Sequence, residues 1–63
     1  MPKTNVTVKL IGEDGNAFVI MGVVTKALRR NGHQDLVKDF IYEATSGDYN
    51  HLLQTCMEYV VVE

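Results

Sequence analysis

The stretch Ala17–Arg30, AFVIMGVVTKALRR, carries the strongest helical pattern in the chain. Its apolar residues recur at intervals of three and four positions, as they do on the buried face of an amphipathic helix. The central row contains Ala17, Met21, Val24 and Leu28, with Ile20, Val23 and Ala27 beside it. Because Phe18 and Val19 widen this apolar arc, we expect the first two turns to be buried on most sides.

Signals at both ends bound this helix. Asn16, or Asp14 just before it, is a suitable N-cap, because a short polar side chain can accept hydrogen bonds from the first N–H groups of a helix. A basic last turn followed by Asn31 and Gly32 is typical of a helix end. Gly22 lies inside the helix, where glycine costs about 1 kcal/mol relative to alanine. We therefore expect a strand or another helix to approach the chain closely at Gly22.

Two further helices are predicted by the same kind of pattern. Residues 34–45 place apolar side chains on one face, namely Leu36, Val37, Phe40, Ile41 and Ala44. Ser46, Gly47 and Asp48 then interrupt the pattern, and Asp48 can cap a third helix. That helix carries a stripe of Tyr49, Leu52, Leu53, Cys56 and Met57. Both helices are expected to pack by one face against a shared core.

Strand patterns lie near both ends of the chain. Residues 6–10 alternate apolar and polar, which predicts a strand that directs Val6, Val8 and Leu10 into the core. Residues 59–62 are rich in β-branched side chains and predict a second strand. The order strand, three helices, strand predicts a single α+β domain over residues 1–63, with a small two-stranded sheet packed on three helices. If the chain reverses direction at each connection and the last strand continues helix 3, the two strands run antiparallel.

The chain is short for its apolar content, with 63 residues of which 46% are hydrophobic. A domain of this size buries only about 60% of the surface that its unfolded chain exposes. The single Cys56 cannot form an internal disulfide, and each strand of a two-stranded sheet leaves an open edge. We therefore expect a homodimer that pairs the edges of its sheets.

Export and membrane signals are lacking. Residues 1–5 do not form the apolar core of a signal peptide, and no apolar run approaches the roughly 18 residues of a membrane span. A lone cysteine fits a reducing compartment. These features predict a cytoplasmic protein with no membrane partner.

The turn at Gly12–Phe18 leads from a strand into a helix N-terminus, which is a common place for phosphate binding. Glu13 and Asp14 would repel an anion, and no Lys, Ser or Thr follows the second glycine. Asp14 and Asn16 resemble the start of a calcium loop, but the remaining ligands of such a loop are missing. We expect no cofactor and no metal here.

Cys56 and His51 are a nucleophile and a base by residue type. They lie five residues apart on one helix, about 140° around its axis, so they do not face each other. Cys56 shares the apolar stripe and is expected to be buried and inert. His51 is expected to be solvated or to cap the helix, and His33 to help start helix 2. With no zinc-ligand spacing and no converging catalytic set, the sequence favours a binding function over an enzyme.

Charge is distributed unevenly along a chain whose net charge is −2. Lys26, Arg29 and Arg30 form a basic end of helix 1, a possible contact for nucleic acid or for an acidic partner. An acidic row on helix 2 consists of Asp35, Asp39 and Glu43. If helices 1 and 2 form a hairpin, some of these opposite charges could meet within the domain, and the acidic row is equally open to solvent or to an external basic partner. The alternative function is weak nucleic-acid binding by the basic end, with Lys9.

Three positions are candidate protein contacts. Tyr42 lies off the apolar stripe of helix 2, and Tyr49 opens helix 3, so each could anchor an interface or flank the core with its hydroxyl in water. Val61 lies in the last strand, at the sheet edge expected to pair with a second copy.

Three strings together resemble a family of short uncharacterised proteins of bacteria and their phages or mobile elements. They are GEDGNAF at residues 12–18, KALRR at residues 26–30 and ATSGDY at residues 44–49. The resemblance covers nearly the whole chain and implies a free-standing small cytoplasmic protein. It carries no activity, substrate or site. We therefore expect a binding or adaptor module that acts through protein–protein contact.

Overall fold

A computed structural model describes residues 2–10 and 16–63. These residues form an α+β fold made mostly of helix, as the sequence predicts. The elements in chain order are β1 (Thr7–Val8), α1 (Ala17–Arg30), α2 (Gln34–Ala44), α3 (Tyr49–Tyr59) and β2 (Val61–Val62). The turn that the sequence predicts at residues 12–15, together with the expectations on phosphate, calcium and an Asp14 cap, lies outside the described residues.

Helix α1 begins at Ala17, directly after its N-cap residue Asn16. The Asn16 side-chain carbonyl oxygen accepts hydrogen bonds from the backbone N–H of Phe18 at 2.8 Å and of Val19 at 3.4 Å. These contacts satisfy N–H groups that have no partner inside a helix. The sequence prediction of an Asn16 cap is confirmed.

Helix α1 ends in a Schellman motif. Gly32 has a φ of 80°, a left-handed conformation that glycine adopts without a Cβ penalty. The N–H of His33 donates to the Leu28 carbonyl at 2.8 Å, and that of Gly32 donates to the Arg29 carbonyl at 3.3 Å. This is the pair of bonds that defines the motif, and it turns the chain toward α2.

One hydrophobic core joins the three helices to the sheet. Its members are Val6, Val8, Ile20, Val24, Leu28, Val37, Phe40, Ala44, Leu52, Cys56, Tyr59 and Val60. The rings of Phe40 and Tyr59 pack edge to face, with centroids 5.4 Å apart. The predicted inward positions of β1 are confirmed for Val6 and Val8, and Leu10 is partly buried against the same core.

The expectation that the first turns of α1 are buried on most sides is wrong. Phe18 is 81% exposed and Val19 is 38% exposed, whereas Ile20 is buried. In so small a domain, α1 packs against the rest of the molecule along one side, and Phe18 projects about 200° around the helix from Ile20. The expected close approach at Gly22 is also wrong, because a Cβ added there would meet no described atom within 4 Å.

The two strands pair in parallel, with Thr7 opposite Val61 and Val8 opposite Val62. The antiparallel prediction is therefore wrong. Parallel neighbours need a long crossover connection, and α1, α2 and α3 together provide it. The prediction assumed that the chain reverses direction at every connection and that the last strand continues α3, and the parallel pairing shows that these two assumptions do not both hold.

Contacts at the end of α3 explain the parallel direction. The N–H of Lys3 donates to the Glu58 carbonyl at 2.7 Å, and that of Thr4 donates to the Tyr59 carbonyl at 3.2 Å. The Thr4 hydroxyl donates to the same Tyr59 carbonyl at 2.8 Å. The last carbonyls of a helix have no partner inside it. The N-terminal segment satisfies two of them and then continues beside β2 in the same direction.

Tyr59 is the last residue of α3. The β-propensity of residues 59–62 predicted that a strand begins at Tyr59, and at this residue the prediction is wrong. The Tyr59 ring and the side chain of Val60 are both buried. The sequence reading also missed Thr4, whose buried hydroxyl accepts from the Val6 N–H at 3.2 Å while donating to Tyr59. A single threonine in a polar N-terminal segment gives no signal of this role.

Candidate binding surfaces

An acidic groove of about 200 Å³ lies between α2, the end of α3 and the N-terminal segment. Helix α2 contributes Leu36, Asp39, Tyr42 and Glu43, α3 contributes Tyr59, and the N-terminal segment contributes Lys3. Asp39 and Glu43 are four residues apart and therefore lie on one face of α2. The groove thus combines two carboxylates with two phenol rings.

The pKa of Tyr59 reflects the negative charge of the acidic groove. Burial raises the pKa of this phenol, and the negative charges of Glu43, Asp39 and Glu58 raise the pKa further. A hydrogen bond to the Glu43 carboxylate adds to the effect. Each of these contacts disfavours a phenolate. The groove is therefore negatively charged, and it would attract a cation.

Lys3 supplies the cation that lies nearest the aromatic part of the acidic groove. Its ammonium nitrogen is 5.3 Å from the centroid of the Tyr59 ring, within the range of a cation–π contact. Within the described ranges, no Lys or Arg nitrogen lies within 4 Å of the Asp39 or Glu43 carboxylate oxygens. Lys3 therefore faces the ring without pairing with the carboxylates.

A second, apolar groove of about 270 Å³ lies between the start of α1 and the connection from α2 to α3. Its apolar lining includes Phe18, Met21, Ala44, Tyr49 and Leu52. Sequence analysis assigned Phe18 and Met21 to the core, so it could not find this surface. An amphipathic pattern marks apolar residues but does not show which of them find a partner.

His51 stabilises the connection from α2 to α3 through hydrogen bonds. Its Nε2 lies 2.9 Å from the Glu43 carbonyl oxygen and 3.1 Å from the Ser46 hydroxyl. Because a carbonyl only accepts, we assign the proton to Nε2. The backbone N–H of His51 donates to the Asp48 carboxylate at 2.9 Å, which confirms the predicted cap. His51 is therefore half-buried and joins two helices, whereas the sequence suggested a solvated or capping side chain.

Cys56 is fully buried in the core. Burial raises the pKa of its thiol from 9.0 to about 11, with a smaller opposing effect from a backbone hydrogen bond. At neutral pH the thiolate, which is the reactive form, is therefore scarce. In the part of the chain that the structure describes, no group of three His, Cys, Asp or Glu side chains could hold a metal ion.

The basic end of α1 consists of Lys26, Arg29 and Arg30, and all three side chains are exposed. Across residues 2–10 and 16–63, they form no ion pair with the acidic row of α2. The expected meeting of these opposite charges therefore does not occur. Helices α1 and α2 contact each other through their apolar faces, so the charged faces of both helices turn toward solvent.

The three candidate protein contacts are all exposed. Tyr42 is 78% exposed and borders the acidic groove, whereas Tyr49 borders the apolar groove. Val61 is exposed in β2. The structure does not bring Tyr42 and Tyr49 together, because each belongs to a different groove. Met57, which the sequence placed on the buried stripe of α3, is also exposed.

No protein-family model, curated protein or solved structure compared with the chain matches it significantly. None of the helices in the described ranges has the length and apolar character needed to cross a membrane.

Proposed function

We propose that this chain is a small cytoplasmic binding or adaptor module that acts through protein–protein contact as a homodimer. The observation that carries the proposal is the open sheet. Within the described part of the chain, each strand has one neighbouring strand and therefore one outer edge. Unpaired strand edges are ready templates for pairing with another chain. The buried Cys56, with its raised pKa, favours binding over nucleophilic catalysis.

Strand β2 is the better candidate for the paired edge. The N–H groups of Val61 and Glu63 donate inward to β1, so the N–H of Val62 between them points outward. Val61 adds an exposed apolar side chain beside that edge. In contrast, β1 is followed directly by the exposed Lys9, a residue type that protects sheet edges. A two-fold axis beside β2 would join the sheets of two copies into four strands.

The dimer is tested by removing the outward-pointing backbone N–H of Val62. In Val62→Pro the outer edge of β2 loses its donor while the ladder to β1 keeps its bonds, because proline is tolerated at an edge. We expect the wild type to have the mass of a dimer at micromolar concentration and Val62→Pro to have the mass of a monomer. Light scattering coupled to size-exclusion chromatography measures both.

Two matched variants serve as controls for this test. Val62→Ala shortens the side chain but keeps the N–H, and Thr7→Pro blocks the outer edge of β1 instead. Both are expected to remain dimers. A wild type that stays a monomer of 7.1 kDa at 100 μM, or a Val62→Pro variant that stays dimeric, would contradict the proposal.

Weak nucleic-acid binding is the second candidate function. It is favoured by the basic end of α1, where Lys26, Arg29 and Arg30 are exposed and have no ion-pair partner among the described residues. Such binding would weaken as salt is raised, because it would depend on phosphate contacts. We expect labelled DNA or RNA to be retained less by Arg29→Glu with Arg30→Glu than by the wild type if this function holds. Equal retention by both proteins would exclude it.

A further inference from the structure

The acidic groove has the composition of a site for a cationic side chain. Asp39 and Glu43 present carboxylates from successive turns of α2, and Tyr42 presents a ring that is 78% exposed. Carboxylates pair with a guanidinium or an ammonium, and aromatic faces attract the same groups. A volume of about 200 Å³ is suited to one long side chain and is too small for a folded element.

The carboxylates of this groove have no cationic partner within the described part of the chain. No ion pair there involves Asp39 or Glu43. Burial and the charges of Glu43 and Asp39 raise the pKa of Tyr59, in keeping with the position of both carboxylates on the lining of the groove. The basic end of α1 does not reach them. A cation from outside would therefore gain electrostatic energy without displacing an existing ion pair.

Lys3 shows that a cation can occupy this position. Its backbone is anchored by the 2.7 Å bond to the Glu58 carbonyl, while its side chain is exposed and its ammonium lies over the Tyr59 ring. A flexible exposed lysine can leave such a contact at little free-energy cost, because exposed cation–π contacts contribute only about 0.5–1 kcal/mol. The Lys3 ammonium thus lies beside Tyr59 in the same groove as the two carboxylates, where its positive charge opposes the entry of an external cation.

We propose that the acidic groove binds an arginine or lysine side chain presented by a basic segment of a partner protein, which displaces the ammonium of Lys3. The inference rests on the proposed protein-binding function and names the chemistry of the partner. Arginine fits best, because its planar guanidinium can stack on Tyr42 while its N–H groups reach Asp39 and Glu43. Lys3 acts as an internal competitor for the same groove.

The test is a titration followed by amide chemical shifts in ¹⁵N–¹H NMR spectra. The probe is the peptide acetyl-Gly-Gly-Arg-Gly-Gly-amide, and the neutral control probe has norleucine in place of arginine. We expect saturable shifts at the amides of Asp39, Tyr42, Glu43 and Tyr59 with the arginine peptide only. Lys3→Met should tighten binding about twofold or more, because it removes the competing ammonium.

Paired variants separate binding in the groove from diffuse attraction. Asp39→Asn and Asp35→Asn each remove one negative charge from the same row of α2, but only Asp39 lines the groove. We expect at least fivefold weaker binding for Asp39→Asn and less than twofold for Asp35→Asn. Tyr42→Ala should weaken binding, whereas Tyr49→Ala should not, since Tyr49 borders the other groove. All these positions are at least partly exposed, and the dispersion of the NMR spectrum confirms that each variant is folded.

Three results would overturn the inference. They are equal weakening by Asp39→Asn and Asp35→Asn, equal binding of the norleucine peptide, and unchanged affinity in Lys3→Met. Shifts of the groove amides on concentrating the protein alone would identify a second copy as the occupant and would also overturn it. Because oligomeric state is measured separately by light scattering, a wild type that is a monomer but still binds the arginine peptide would count against the sheet-edge proposal only.

Discussion

Phe40→Ala is expected to remove a large share of the stability of the fold at 25 °C. Phe40 is fully buried at the centre of the core, where its ring packs edge to face against Tyr59 at 5.4 Å. Removing a buried phenylalanine side chain costs about 3–5 kcal/mol. A chain of 63 residues has a total stability of roughly 3–9 kcal/mol at typical values per residue. Urea denaturation followed by far-UV circular dichroism measures the loss.

Ile41→Ala is the matched control, because it removes a large apolar side chain from the next position of the same helix. Ile41 is 41% exposed, so the free energy of unfolding should fall by only about 1 kcal/mol. Both variants raise the helix propensity, because alanine is a better helix former than phenylalanine or isoleucine. Equal losses at Phe40 and Ile41 would show that the core is not organised around the Phe40–Tyr59 contact.

The same glycine-to-alanine change is expected to have opposite effects at two positions. At Gly47 an added Cβ would lie 2.8 Å from both Cβ and Cγ of His51. The His51 ring cannot move aside freely, because it is hydrogen-bonded to the Glu43 carbonyl and the Ser46 hydroxyl. Gly47→Ala should therefore lower the free energy of unfolding by about 1–3 kcal/mol, as overpacking does elsewhere.

Gly22→Ala should instead raise the free energy of unfolding by about 0.5–1 kcal/mol. The added Cβ would meet no described atom within 4 Å, and alanine is the better helix former. Thermal and urea unfolding of the two variants beside the wild type measure both changes. A neutral Gly47→Ala would mean that the His51 bridge rearranges without loss, and a destabilising Gly22→Ala would mean that another chain contacts α1 at that position.

Local signals account for the parts of the fold that the sequence predicted well. Helix α1 has its predicted bounds because Asn16 satisfies its first N–H groups and Gly32 adopts the conformation that ends it. Asp48 starts α3 for the same reason. These interactions involve residues within a few positions of each other, so a single sequence contains them. The apolar periodicity likewise located Val24, Leu28 and Phe40 in the core.

The grooves were only partly predictable. Sequence analysis identified Tyr42 as a possible contact and the acidic row as a surface open to a basic partner. It could not place Lys3 and Tyr59 beside them, since these residues come from opposite ends of the chain. Phe18 and Gly22 were misjudged because composition alone does not tell whether a neighbour is present. Whether a helix position has a packing partner depends on elements distant in sequence.

The sequence by itself determined where the three helices begin, where α1 ends, which faces are apolar and that β-prone segments lie near both ends of the chain. Tertiary structure alone decided that the strands run parallel, that Thr4 and Lys3 cap α3, and that the basic and acidic helix faces stay apart. The physical reason is the range of the interactions. Capping and periodicity act within one or two helical turns, whereas strand direction depends on which carbonyls the N-terminal segment can reach after the helices have packed.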